Sequence, residues 1–251
     1  MAGIRWWVST AIVSLCVAAA CASPARAQDG GIPPVAYPAL PAHAVDAAGF
    51  VPGGWRLEQA HEGDLDGDGR SDMLLVLRMH DPANVVARDG GDDAGFDTNP
   101  RMLAIALARP AGGYRLVLQD HALIPRADNA NADEYLDGDD AVAIRDGRIF
   151  VRLHWWLSMG GWGTSSTTYT FRWQDGCMRL IGYDLDEIQR SSGETIDTSI
   201  NYLAGEVRID SGSIEDDRTR TRRETFPPAA AKCLQDIGDG FEFDPGVNAG
   251  T

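Results

Sequence analysis

The chain shows no sustained helical period anywhere along its length. That excludes bundles, coiled coils and alternating α/β architectures, all of which need amphipathic helices. It contains no G-x-S-x-G, no H-E-x-x-H and no phosphate-cradling glycine loop. The common hydrolase, metalloprotease and nucleotide-binding solutions therefore have no footing here. Histidine is sparse, at 5 residues, and no two stand at metal-ligand spacing. Basic charge is scarce relative to acidic: 22 Lys and Arg against 37 Asp and Glu, for a formal net charge of −15. A chain that acidic repels nucleic acid and anionic lipid surfaces. Lysine occurs once, at Lys232, and carries no functional weight.

Long apolar runs are also missing, with one exception at the start. Arg5 precedes an apolar stretch from Trp6 to Ala22, and Ala25-Arg26-Ala27 follows. Positive residue, short apolar core and small-x-small site make a secretory signal peptide over residues 1–27, cleaved after Ala27. The stretch is shorter than the ~20 residues of a membrane span. The alternative is lipidation at Cys21, which ranks second because Ala18 stands where a lipoprotein usually has Leu. Loss of Arg5 and Arg26 takes the net charge from −15 to −17. Cys16 and Cys21 leave with the signal, so Cys177 and Cys233 remain as an even pair in a periplasmic or extracellular compartment. A disulfide between them is expected. The predicted organisation is then a loose Ala/Pro-rich leader over 28–48, a β domain over 49–238 and a disordered tail over 239–251.

What is abundant is Asp beside Gly. Asp64-Leu65-Asp66-Gly67-Asp68-Gly69-Arg70-Ser71-Asp72 places acids at loop positions one, three, five and nine and Gly at six. Ca²⁺ is a hard cation that takes roughly six to eight oxygens, and alternating Asp turns successive carboxylates inward. The carbonyl of Arg70 falls where a seventh-position backbone ligand belongs. Position twelve is Leu75 rather than a bidentate Glu, and Met73-Leu74-Leu75-Val76-Leu77 suits a buried strand, not an exiting helix. Loop-into-strand is the expectation, with Asp64, Asp66, Asp68 and Asp72 binding one Ca²⁺ through side chains and Arg70 through its carbonyl. Solvated turn is the bland alternative; four carboxylates in register, mutually repulsive without a cation, weigh against it.

This D-x-D-x-D-G-x-x-D loop running into a strand resembles the FG-GAP and VCBS-type repeats of integrin-like propellers and many bacterial secreted proteins. The wider pattern, with Asp97–Arg101, Thr168–Arg172 and Leu180–Asp184, is similar to small secreted bacterial proteins carrying one such loop each. The resemblance implies a β fold, a Ca²⁺ loop and an exported location. It implies no activity.

Turn chemistry predicts antiparallel hairpins. Asp146-Gly147, as a two-residue type I′ turn, pairs Arg145 with Arg148, Ile144 with Ile149 and Val142 with Val151. Asp175-Gly176 sets Trp173 against Met178 and Phe171 against Leu180, and places Arg172 opposite Arg179, unfavourable unless acids flank them. Pro110–Gly113 joins Met102–Ala108 to Tyr114–Leu118. The fold class is mainly β, an antiparallel meander of hairpins forming a sandwich, a barrel-like sheet or a propeller-like blade. One short C-terminal helix is expected near Ala229–Ile237, after Pro227-Pro228. Asp128–Asp140 lacks the one-three-five-nine register and reads as a solvated loop rather than a second cation site, and the Asp89–Asp97 run, with its glycines, reads as a flexible loop.

The second candidate site is His154-Trp155-Trp156-Leu157-Ser158-Met159-Gly160-Gly161-Trp162. Alternation puts Trp155 with Val151 and Leu153 on a buried face, and His154 and Trp156 on the other. Core and rim packing is favoured. The functional alternative is a glycan- or peptide-binding surface on His154, Trp156 and Trp162. The expected role is non-enzymatic binding or envelope association, with an unidentified protein or glycan partner.

Overall fold

The computed structural model describes residues 31–87, 95–227 and 232–247. Residues 1–30, which hold the predicted signal and Cys21, lie outside them, as does most of the Asp89–Asp97 run. The protein is mainly β, with antiparallel sheets including a half-barrel. Among the described residues fourteen strands follow in chain order. They are β1 (His43–Ala44), β2 (Trp55–Gly63), β3 (Asp72–Met79), β4 (Val85–Val86), β5 (Phe96–Asp97), β6 (Arg101–Ala108) and β7 (Tyr114–Asp120). Then come β8 (Val142–Arg145), β9 (Arg148–Trp156), β10 (Gly163–Gln174), β11 (Cys177–Gln189), β12 (Glu194–Asn201), β13 (Glu206–Ser213) and β14 (Asp216–Thr225).

They form a five-stranded sheet, β1-β7-β6-β3-β2, a seven-stranded meander, β14 through β8 in sequence order, and the two-stranded pair β4-β5. β3 and β6 are almost continuously buried, because both faces of their sheet are covered. On one face Leu74, Val76, Leu103 and Ile105 meet Ile149, Val151, Leu153, Tyr169 and Phe171 of the seven-stranded sheet in a shared core. On the other, Leu75, Leu77, Met102 and Ala104 pack under Leu40, Phe50 and Trp55. This explains why the 73–77 run reads as unbroken apolar residues rather than as an alternation.

The hairpin registers agree with the turn chemistry. Ile144 pairs with Ile149 and Val142 with Val151, and Trp173 pairs with Met178 and Phe171 with Leu180. Asp146 and Asp175 have φ of 50° and 52°, followed by Gly147 and Gly176 at 68° and 81°, the double left-handed pair that a type I′ turn requires. Arg172 does stand opposite Arg179. Asp175 relieves the repulsion at 3.2 Å from Arg179, and Arg172 donates to Gln174.

Three expectations need correction. The described part of the 28–48 leader is packed, not loose. Leu40 is buried, His43–Ala44 adds a strand to β7, Tyr37 stacks on His121 with ring centroids 4.1 Å apart, and Arg126 donates to the Pro33 carbonyl. Alanine and proline dominate its composition, but the few large side chains decide its fate. The tail after Gly238 is ordered through Val247. Phe241 and Phe243 pack against the shared core, and the Tyr169 phenol donates to the Gly240 carbonyl at 2.6 Å. Two aromatics at alternate positions outweigh the surrounding Gly and Asp. Finally, the C-terminal helix is, within the described residues, a single 3₁₀ turn, Leu234–Asp236. Cys233 bridges to Arg179 on the strand beside it and bonds covalently to Cys177, with Cα atoms 5.9 Å apart. The disulfide belongs to an oxidising compartment. No helix among the described residues is long and apolar enough to cross a membrane.

Candidate metal centre

Gly63 at the end of β2 pairs with Asp72 at the start of β3, and the Asp-rich segment is the loop between them. Its shape follows from its own side chains. Asp64 accepts from the backbone N–H groups of Gly67, Asp68 and Gly69 at 2.7, 3.1 and 2.9 Å. That tight curl needs left-handed backbone at Gly67 and Gly69, whose φ values are 81° and 82°. Leu65 points the other way and is buried in the core shared by the sheets, so the loop is anchored by its second residue.

Asp72 is wholly buried. Its two oxygens accept from the Leu65 and Ala108 N–H groups, each at 2.8 Å. Asp64, Asp66 and Asp72 thus converge, each offering one carboxylate oxygen within 4.8 Å of the others. Asp68 behaves differently. It accepts from the Arg70 N–H and forms an ion pair with the Arg70 guanidinium, which also reaches the Ala108 carbonyl. The fourth acid of the register is turned onto its neighbour instead of joining the other three. Sequence spacing could not distinguish these, because an Arg two residues on competes for the carboxylate.

The cluster is electrostatically tense. Burial raises the pKa of Asp66, the charges of Asp72 and Asp64 raise it further, and Arg70 and Arg115 offset only part of this. A cation among the three carboxylates would remove that repulsion. The loop also lies where the two large sheets meet. A methyl on Gly63 would fall 2.6 Å from Ile144 Cγ2, and one on Gly147 would fall 3.2 Å from the Asp64 carbonyl. The β8–β9 turn therefore sits directly against the loop's entry.

His154 and Trp156 stand opposite Ser166 and Thr164 on the face of β9 away from the core. Trp156 lies under the Arg190 guanidinium, 4.9 Å from the ring centroid. Trp162 lies in the β9–β10 loop, 67% exposed, and its carbonyl accepts from the same Arg190 that covers Trp156. Trp155, expected in the core, is half-buried against Tyr135 and Phe241.

A second charged constellation has no counterpart in the sequence reading. Glu58 is the extra residue of a β-bulge between Leu57 and Gln59. It receives two bonds from Arg101, at 2.6 and 3.0 Å, and one from Arg78 at 3.3 Å. Glu134 bonds both arginines and Asp97 bonds Arg78. Glu134 belongs to the Asp128–Asp140 loop expected to be merely solvated, in which Tyr135 and Leu136 are also buried. The available signal was an Arg at one end of each of two apolar strands, Arg78 and Arg101, directly opposite each other.

No protein-family model, curated protein or solved structure matches this chain.

Proposed function

We propose that Asp64, Asp66 and Asp72 hold one Ca²⁺, with the Arg70 carbonyl and water completing its oxygens, and that the ion is structural. The convergence of three carboxylates in a curled, glycine-permitted loop supports this reading. So does the chemistry of the set, which is all oxygen, with no thiolate or imidazole to favour zinc or copper. In this reading Asp68 acts as a counter-charge to Arg70. The likeness to FG-GAP and VCBS-type loops rests on the same residues. The protein is exported after cleavage at Ala27 to a periplasmic or extracellular location, where free Ca²⁺ is plentiful. Its role is binding or envelope association, with the ion fixing the junction between the sheets.

Calorimetry with CaCl₂ on the mature chain tests it. The expected dissociation constant is on the order of 10⁻⁴–10⁻³ M, as in extracellular modules, because no bidentate Glu closes the loop. Absence of heat at millimolar Ca²⁺, or unchanged binding in Asp64→Asn, would overturn the reading. Intact mass of exported material tests the location: a chain beginning at Gln28 is expected, and a diacylglyceryl group on Cys21 would replace soluble export with membrane anchoring.

A further inference from the structure

The inner face of the seven-stranded sheet runs in cross-strand rows. Val151, Tyr169, Tyr183, Ile200 and Val207 make one, and Leu153, Thr167, Leu185, Thr198 and Ile209 the next. Both belong to the core or border it. The third row changes character. It reads Trp155, Ser165, Glu187, Ile196, Ser211 and Arg220. There the core ends and an open cleft of about 360 Å³ begins, walled by Trp155, Leu157, Ile188 and Ile196.

The side chains that line it carry charge of one sign, while the Arg190 guanidinium stands behind the wall on the Leu157 and Gly161 carbonyls. Glu187 and Glu194 line it, and no Lys, Arg or His does. Neither carboxylate forms an ion pair among the described residues, although Glu194 accepts from the Ser192 hydroxyl at 3.0 Å and also borders a groove lined by Arg218 and Arg220. The nearest arginine along the row, Arg220, stands three strands beyond Glu187, about 14 Å away at ordinary strand spacing. Glu187 is exposed as a residue, yet partial desolvation of its carboxyl raises its pKa from the usual range.

The rim is built rather than frayed. Met159 and Trp162, each 67% exposed, sit on the β9–β10 loop. Arg190 holds that loop through four bonds. Its backbone N–H donates to the Trp162 carbonyl at 2.8 Å. Its side chain donates to the carbonyls of Leu157, Gly161 and Trp162 at 2.8, 2.6 and 3.3 Å. An indole exposed on a loop fixed this firmly is presented to solvent at little further ordering cost on binding.

We propose that this cleft is a binding site for a small organic cation with an apolar body, an alkyl- or arylammonium. The ammonium would lie between the Glu187 and Glu194 carboxylates, and its apolar part against Trp155, Leu157 and Ile196. The Trp155 ring, which walls the cleft, offers an aromatic face that attracts cations. A neutral saccharide fits less well, because it would cover two carboxylates without neutralising either. The site is independent of the Ca²⁺ loop and does not rest on it.

The test is calorimetric or NMR titration of the mature chain with 2-phenylethylammonium chloride, its neutral isostere 2-phenylethanol, and methyl glucoside. The ammonium should bind with a dissociation constant in the millimolar range, at least about tenfold tighter than either neutral probe. Glu187→Gln combined with Glu194→Gln should lose about tenfold while melting as the parent does. Ser165→Arg, which tethers a guanidinium inside the cleft, should abolish binding. Equal or tighter binding of 2-phenylethanol would reduce the cleft to an apolar surface, and preference for the glucoside would make it a saccharide site. Either result overturns the proposal, as does an unsaturable ammonium titration or full affinity in Ser165→Arg.

Discussion

Replacing Glu58 by Gln removes the more buried of the two carboxylates shared by two nearly buried guanidiniums. The Arg78 and Arg101 side chains are each only 9% exposed and that of Glu58 15%, so little solvent screens the group. Arg78 Nε already lacks a partner. After the substitution the cations keep only Glu134 and Asp97, whose side chains are 57% and 45% exposed and correspondingly weaker counter-charges. Breaking a buried ion pair from one side costs about 3–5 kcal/mol. With two exposed acids still in reach we expect about 3 kcal/mol, a large share of a stability of roughly 5–15 kcal/mol. Urea unfolding with the disulfide intact measures it as a shift of midpoint at constant slope. A loss below about 1 kcal/mol would place the cluster with surface ion pairs and refute the reasoning. A pH series adds a second check. Burial alone would raise the Glu58 pKa, but the bond and charge of Arg101, then those of Arg78, hold it below its ordinary 4.5. A depressed folded pKa means that stability is fully present above the unfolded value and is lost as pH falls through the folded one. Glu58→Gln should therefore flatten the acid limb below about pH 4.5.

Asp72→Asn should destabilise by about 1–3 kcal/mol even in EDTA, because an amide can accept only one of the two N–H groups now bonded to the carboxylate; chemical denaturation of the metal-free protein reads this directly. Asp64→Asn should remove the rise in melting temperature on adding Ca²⁺, whereas Asp68→Asn should keep it, since that carboxylate faces Arg70; differential scanning fluorimetry with and without CaCl₂ separates them, and equal losses would return Asp68 to the ligand set. Replacing both Cys177 and Cys233 by Ser opens a link spanning 56 residues and should cost up to about 4 kcal/mol by chain entropy; an unchanged melting temperature would mean that the 3₁₀ turn holds the last segment unaided.

The hairpins were legible because their information is local. An Asp-Gly pair dictates its turn, and the turn dictates the register for several residues on either side. The Asp loop was legible for the same reason as far as three of its four acids. Asp68 was not, since a neighbouring side chain decided its direction. Nor was the Glu58 cluster, which joins β2, β3, β6 and the 128–140 loop and depends on a bulge that no local pattern announces. Composition misled at both ends of the β domain: averaging over Ala, Pro, Gly and Asp hid Tyr37, Leu40, Phe241 and Phe243, whose partners lie far away in sequence.

The shared core closes with the last described residues. Leu234 and Ile237 belong to it, and Phe241, Phe243 and Val247 pack against it. Gly240 lies so close to Leu153 and the Leu123 carbonyl that no side chain fits there. During synthesis the earlier strands can pair and their two sheets can meet, but the part of the core beside Leu123, Leu153 and Tyr169 stays open until this segment arrives. The contacts of that part of the core are thus made last, and the long sequence separations between partners slow their formation. A chain that must cross a membrane before folding would gain from that delay, because it emerges while still pliable.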